Sequence, residues 1–411
     1  MALSQLCAVI IGGGLGGLCL AQGLVRSGIH VEVYERDASL TSRPQGYRIH
    51  IDTRGVTPLR ECLQPAAYEL FDATRGEPGD RVTILTKRLR NLNVTRFPAV
   101  ATGDQIGAGG PVNRLTLREI LFAGLDNCVH FEKTFTHYEP EPDGSIRASF
   151  LDGTSVIGDV LVAADGVGSR IRQQYLPQAE VIDTGERCIY GKIILTEDTL
   201  PLLPDAVHHG FVGIVASRKL GMALGLMQFR SRPDRAAADI WPGWTLHPVA
   251  DYLMWALSGQ QEAFPRSDSD MRSLDGPSLQ QIALNLTKDW HPNLRALIAQ
   301  SVAADTFFLP IHTSIPIPPW PTTNVTLLGD AIHAMSPPRG SGANIALKDA
   351  GVLCRNLSAV SRGETPLLTA LHDYERQMID YGFAAVTDVQ AVLRAGNGPL
   401  ERLISFLSRH K

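Results

Sequence analysis

The sequence predicts an α/β fold: a strand–helix–strand unit, an interleaved and mainly antiparallel β unit, and helices at the C-terminal end. Three observations carry that expectation. An apolar strand runs into a cluster of glycines and then a buried helix near the N-terminus; from about 180 to 309 the texture changes to many short β-prone stretches; and at Val325 a buried strand returns, followed by a loop and a long helix. With 411 residues the chain has room for two domains, or for one domain with a large insertion.

Taken in order, Ala8–Ile11 reads as a short buried strand, Leu18–Arg26 as a helix closed by Gly28, and Val31–Glu35 as an alternating second strand. Gly46–Ile51 is a further strand candidate, and Leu115–Leu125 a helix that follows Asn113 and Arg114. An antiparallel meander is expected over Phe131–Tyr138, Ser145–Leu151 and Ser155–Ile157, with turns at Pro142-Asp143-Gly144 and Asp152-Gly153. Val160–Ala164 is an apolar strand entering Asp165-Gly166. Cys188–Leu195 and Phe211–Val215 are strands of the second unit, which also holds helices near Leu279–Leu286 and Asn293–Gln300. Val325–Leu328 leads through Gly329-Asp330 and a Pro-rich loop to a helix from Asn344 to about Val360, and Leu367–Leu393 is amphipathic. The expected division is 1–180 with 310–365 for nucleotide binding, 181–309 for the β unit and 366–411 for the helical end.

Composition narrows the function class. Hydrophobic residues make up 44% and charged residues 19%, with a net charge of −4 and no Lys/Arg cluster, so no nucleic-acid partner is expected. The six cysteines (Cys7, Cys19, Cys62, Cys128, Cys188, Cys354) lack C-x-x-C spacing and read as reduced structural thiols, without a metal site. That usage implies a cytoplasmic setting. Leu6–Val25 is uncharged and long enough to span a bilayer, yet five glycines occupy its middle and no basic residue precedes it. Neither a membrane span nor a targeting segment is expected.

Gly12-Gly13-Gly14-Leu15-Gly16-Gly17 fits G-x-G-x-x-G, with Gly12 for the turn, Gly14 for close approach of a pyrophosphate and Gly17 for helix–strand packing. A helix N-terminus then faces the phosphates. Glu35 ends the second strand, where a carboxylate can accept from both ribose hydroxyls and disfavours a 2′-phosphate. Arg36 covers the adenine, reaches a phosphate, or is simply solvated.

Two more motifs choose among dinucleotides. The second runs Asp159-Val160-Leu161-Val162-Ala163-Ala164-Asp165-Gly166 to Arg172; the third is Leu328-Gly329-Asp330-Ala331-Ile332-His333, continuing to Gly340, Gly342, Ala343 and Asn344. A strand ending in Gly329-Asp330 presents a carboxylate to a ribityl hydroxyl, and the helix that follows can stabilise negative charge at a flavin's electron-accepting edge. Together the three motifs resemble those of the class A FAD-dependent monooxygenases, the aromatic hydroxylase superfamily, and within it the salicylate-hydroxylase-like and tetracycline-inactivating enzymes and their fungal biosynthetic relatives. The resemblance covers nearly the whole chain.

It implies a Rossmann-type FAD-binding domain with an interleaved substrate-binding β domain, and a place in secondary metabolism. It also implies FAD contacts by Asp330, by the backbone near Ala343, by Arg114 of an R-x-x-L element (Arg118 being the alternative), and by strand backbone at Gly46. Asp165 either organises its turn or touches the cofactor. Two departures stand out: Gly340-Ser341-Gly342 replaces the usual G-Q-G, and Ile189-Tyr190-Gly191 stands where relatives carry Tyr-Arg-Gly, so the Arg used there for substrate deprotonation or flavin positioning is missing.

The implied chemistry is oxygenation by O2 through a flavin C4a-hydroperoxide, with NADPH or NADH bound transiently as electron donor, on a small aromatic or polyketide-like substrate, by a monomer or homodimer. Most of that chemistry belongs to the cofactor. Arg48 and Tyr190 are the candidate catalytic residues; His50 is a weaker one, and His333 is expected to fix its loop. Trp241, Trp244, Met222, Met227 and Phe229 line an apolar pocket or are core. Competing expectations are an FAD-linked reductase without oxygen insertion, an NAD-only dehydrogenase, and a redox-dead binding module.

Overall fold

The computed structural model describes residues 6–42, 47–96, 109–217, 220–336 and 340–395. Gly46, expected near the cofactor, lies outside the described residues.

The N-terminal unit is a five-stranded sheet, parallel throughout, in the order Val325–Leu327, Val160–Ala163, Cys7–Ile11, His30–Tyr34, Val129–His130. Its central strand is buried along four of five positions, as a parallel strand covered on both faces must be. Cys7–Ile11 pairs with His30–Tyr34 on one side and with Val160–Ala163 on the other, so the strand order reverses there and a crevice opens at the strands' carboxyl ends. The helix Leu15–Arg26 lies beneath it and is buried from Leu15 to Leu24. It packs against the 21-residue helix Ser341–Ser361, where Gly16 and Gly23 let the two axes approach: a methyl at Gly16 would sit 3.1 Å from the Ala346 carbonyl, and one at Gly23 2.5 Å from the Cys354 thiol.

The second unit is a seven-stranded sheet in the order Phe307–Ser314, Val181–Ile194, Tyr252–Gln260, Leu220–Met227, Gly210–Ser217, Arg81–Thr86, Asn91–Arg96. All its pairings are antiparallel except that of Gly210–Ser217 with Arg81–Thr86. Two of its strands therefore come from within the 1–180 segment, where the sequence showed no texture change. One face, bearing Ile189, Trp255, Leu257 and Leu224, is covered by the helices Gly276–Leu286 and Pro292–Ala299. The opposite face, with Tyr190, Ala256, Ala223 and Gly225, turns toward the N-terminal unit; Tyr47 packs on it and Arg48 bonds to it.

The expected meander forms as Phe135–Pro140, Ile146–Phe150 and Ser155–Gly158. The C-terminal stretch forms one helix, Leu367–Ala395, which packs on Ser341–Ser361. Among the described residues no helix is long and apolar enough to cross a membrane, and Leu6–Val25 is strand, turn and helix.

Candidate active site

The glycine turn is built by backbone constraint. Gly12 has φ of +113°, and a Cβ there would lie 2.2 Å from the Ala164 carbonyl, so the first and second motifs touch at the crevice through a residue that must be glycine. A Cβ at Gly17 would lie 2.1 Å from the Gly12 carbonyl, which fixes the helix against the turn. Gly14 meets nothing within 4 Å and caps the helix without a side-chain bond. Its face is open to the crevice, and the helix's free N–H groups point the same way.

Glu35 is buried behind this turn. Its Oε2 accepts from Gly13 N–H (2.9 Å) and Arg118 Nη2 (3.0 Å), and its Oε1 from Asp37 N–H (3.0 Å). A carboxylate has about four acceptor positions, so the protein takes about three of them and roughly one stays available to a ligand hydroxyl. Arg118 is 1% exposed and also donates to the Gly13 (2.8 Å) and Leu40 (2.9 Å) carbonyls. It ties the turn to Glu35, while Arg114, one helical turn earlier, borders the space in front of the turn.

That space is a cavity of about 320 Å³ lined by Gly12, Gly14, Glu35, Arg36 and Arg114, together with Lys133, Arg170 and the Ala164–Gly168 loop. Five of the sequence-nominated cofactor residues thus share one cavity. Of its four cations Lys133 pairs with Asp152, and of its two carboxylates Glu35 pairs with Arg118; three arginines against Asp165 leave the lining positive, which favours a polyanion. Asp165 also lines it: Oδ2 accepts from Arg170 N–H (3.0 Å), closing the turn, while Oδ1 is buried without a partner. Burial raises its carboxyl pKa. A larger cavity, about 430 Å³, lies away from this crevice between Arg26, Cys62, Cys354 and Arg355.

The third motif is held from behind. Asp349, fully buried, accepts from Gly329 N–H (2.8 Å) and from His333 Nε2 (2.7 Å) through Oδ2, and from Tyr381 O–H (2.7 Å) through Oδ1. Burial alone would lower the His333 pKa, but Asp349 and Asp330 more than offset it and the net shift is upward. Arg172 joins the second motif to the third by donating to the Ala331 (2.9 Å) and Val167 (3.0 Å) carbonyls. Asp330 itself lies deep in the molecule yet has an exposed side chain: surrounding protein raises its pKa, and His333 and Arg114 oppose that rise. Ala343 sits in the first turn of Ser341–Ser361, whose cap Gly340 has φ of +57° and no side-chain bond. Asn344 fastens this turn to the strand Arg48–Ile51, donating to the His50 carbonyl (2.8 Å) and accepting from Asp52 N–H (2.9 Å).

Arg48 leaves that strand for the antiparallel sheet, where its Nε donates to the Leu226 carbonyl (2.9 Å). Burial pulls its pKa down to about 10, with Tyr252 pulling the other way. His50 is depressed to about 4 by burial and by Arg48, so it is neutral at pH 7. Tyr190 stacks on Phe307 (5.2 Å, 9°), and burial raises its pKa, leaving a phenol rather than a base. Met222 faces the helices, Met227 and Phe229 pack with Tyr252, and Trp241 and Trp244 pack against the N-terminal unit's core.

Sequence reasoning missed Asp349, Tyr381 and the bridging role of Arg172. Only the i, i+4 spacing of Arg114 and Arg118 hinted at two arginines sharing one helical face.

A family model described as an FAD binding domain matches residues 316–387, and one described as an NAD(P)-binding Rossmann-like domain matches 10–73. The chain is 33% identical over 390 residues to a dual O-methyltransferase/FAD-dependent monooxygenase of Cercospora beticola, covering 90% of this chain and 44% of that protein. It thus spans less than half the length of the first curated relatives it matches. It is 30% identical over 381 residues to an FAD-dependent urate hydroxylase of Klebsiella oxytoca, covering 91% of this chain and 86% of that one. A crystallised protein of Photorhabdus luminescens, assigned as an FAD-containing monooxygenase, superposes with a TM-score of 0.79 at 32% identity over 93% of this chain and 96% of its own. With likeness of this extent over nearly the full length of two such proteins, the chain belongs to the FAD-dependent monooxygenases.

Proposed function

We propose that this chain uses FAD, reduced by NADPH or NADH, to place one oxygen atom of O2 on a small aromatic or polycyclic, polyketide-like substrate. The observation that carries the reading is that three separated motifs meet at the carboxyl ends of neighbouring parallel strands: the first two line one cavity, and the exposed Asp330 of the third feels the charge of Arg114 from that lining. The residues fit the cofactor. The backbone at Gly12 and Gly14 and the helix behind them take the pyrophosphate, with Arg36 and Arg114 supplying countercharge. Glu35 accepts one ribose hydroxyl, and Asp330 a ribityl hydroxyl. By the family resemblance, the backbone around Ala343 and Gly46 would also help to hold the cofactor.

When bound, FAD supplies hydride acceptance and oxygen activation. The chain contributes binding, orientation and exclusion of water. The face of the antiparallel sheet that bears Tyr190 and receives the Arg48 bond would form the substrate wall. This division leaves 181–309 mainly with the substrate, joined by Arg81–Arg96. A cytoplasmic setting suits its six free cysteines, and a monomer or homodimer suffices.

The test is purification followed by reconstitution with FAD, then NADPH and NADH oxidation under 18O2 with aromatic and polyketide-like compounds. A yellow protein that transfers one labelled atom is expected. A protein that takes up no FAD at micromolar concentration, or oxidises nicotinamide without ever labelling a product, would overturn the reading.

A further inference from the structure

Three of the six cysteines meet where three helices cross. Cys19 lies on the helix Leu15–Arg26, Cys62 ends the helix Thr53–Cys62, and Cys354 lies within Ser341–Ser361. The Cys62 thiol touches both of the others. Gly23 makes the room: a methyl there would sit 2.5 Å from the Cys354 sulfur and 2.9 Å from the Cys62 sulfur. Two sulfurs that near one point are less than twice the longer distance apart. A side chain at Gly23 would part them. Among the described residues no three His, Cys, Asp or Glu side chains are arranged to hold a metal, this trio included.

The surroundings hold the pair in place. Arg26 donates to the Glu61 (2.9 Å) and Leu63 carbonyls, and Arg355 pairs with the Glu61 carboxylate, so the end of Thr53–Cys62 is tied to both neighbouring helices. The same helix starts after Asp52, whose N–H donates to the Asn344 side chain (2.9 Å). The pair also has an approach from outside. Cys62 and Cys354 line the cavity of about 430 Å³ that lies away from the flavin crevice, together with Arg26, Glu61, Arg355 and Arg362. Cys354 is 8% exposed and Cys62 1%, whereas Cys19 is sealed at 0% and lies off that lining.

We propose that Cys62 and Cys354 form a redox modification site, closing to a disulfide when hydrogen peroxide enters this cavity. Reduced flavin in contact with O2 is a source of that oxidant, but the site is separate from the flavin crevice and goes beyond the function read there. The Cys354 sulfur attacks one peroxide oxygen, the O–O bond breaks, and the departing hydroxide takes the thiol proton as water, leaving a sulfenic acid. The Cys62 sulfur then attacks the sulfenic sulfur. An S–S bond forms, and hydroxide leaves with the second thiol proton as another water. Two electrons pass from the sulfurs to the peroxide. Contacts among the thiols and burial hold both protonated, so the reduced pair is the resting form and closure is slow.

The experiment treats the native, fully reduced chain with hydrogen peroxide, blocks the remaining thiols, and maps linked peptides by mass spectrometry without reductant. One dominant linked pair is expected, Cys62 with Cys354, with a loss of two of the six thiols and of two hydrogens in mass. Dithiothreitol should reverse both. The urea-unfolded chain under the same treatment should lose the selectivity. In Cys62→Ser, dimedone should trap a sulfenic acid on Cys354, and Cys354→Ser should leave Cys62 unlinked.

A native chain that forms no disulfide, that links Cys19 to Cys62 instead, or that gives the same mixture of pairs folded and unfolded would overturn the proposal. So would a Cys62→Ser protein whose Cys354 yields no dimedone adduct. The readout is a linked peptide rather than turnover, so a chain that takes up no FAD overturns the flavin reading and leaves this result decisive on its own.

Discussion

Replacing Asp349 by Ala should both destabilise the protein and loosen the flavin site, although Asp349 itself is fully buried. Its carboxylate receives Gly329 N–H, His333 Nε2 and Tyr381 O–H at 2.7–2.8 Å, and His333 and Asp349 are each 0% exposed. Alanine leaves two buried donors and the half-buried Tyr381 hydroxyl without an acceptor. Each costs about 1–3 kcal/mol, and because they share one carboxylate the losses overlap, for a total of about 3–5 kcal/mol, the usual cost of breaking a buried pair. That is a large share of the 5–15 kcal/mol typical of a folded protein.

Asp349→Asn should be milder, about 1–2 kcal/mol. Its carbonyl can still accept from Gly329, and the Tyr381 hydroxyl can turn to accept from its amide. What it loses is the charge facing His333. The imidazole's pKa is raised above 6.5 in the folded state, burial opposing and Asp349 more than offsetting. The contribution of the pair is therefore complete below about pH 6.5 and is lost as pH rises through the folded-state value, with a slope of at most ~1.4 kcal/mol per pH unit. Thermal melts of the wild type and both variants from pH 5.5 to 9, with flavin release followed by fluorescence, measure both effects. An Ala variant with unchanged melting and FAD retention, or an Asn variant that keeps the wild-type pH slope, would refute the reasoning.

Further outcomes follow from the same geometry. Asp330→Ala should lower FAD affinity about tenfold or more, one charge-assisted hydrogen bond, while apoprotein melting changes little, because the side chain is exposed; equilibrium dialysis and apo melts decide. Arg118→Met should cost about 3–5 kcal/mol by stranding Glu35, whereas Arg114→Gln should weaken FAD binding with a smaller loss of stability; urea denaturation of both apoproteins separates them. Gly17→Ala drives a methyl to 2.1 Å from the Gly12 carbonyl, a backbone atom that cannot step aside. About 1–3 kcal/mol of destabilisation and loss of FAD retention are expected, and a yellow variant melting like the wild type would contradict that packing.

Legibility in the sequence followed the range of the interactions involved. The glycine turn, the acid after the second strand, the meander and the Gly-Asp element read cleanly because each depends on local backbone geometry or on a hydrophobic period within one element. The strands Arg81–Thr86 and Asn91–Arg96 did not, since nothing in a short alternating stretch says which sheet it will join. Composition left Trp241 and Trp244 open between a pocket and the core, and they pack on the N-terminal core, as large apolar side chains usually do.

The primary structure alone therefore established a dinucleotide crevice with flavin-type accessory motifs, because steric demands at Gly12 and Gly17 and an acid after the second strand admit few other arrangements. Side-chain partnership was settled only by packing. Arg118 rather than Arg114 closes on Glu35 across 83 positions, Arg172 reaches Ala331 across 159, and Tyr381 anchors Asp349 from the last helix. These bonds join elements that meet only once the sheets and helices have docked, so no local pattern in the chain encodes them.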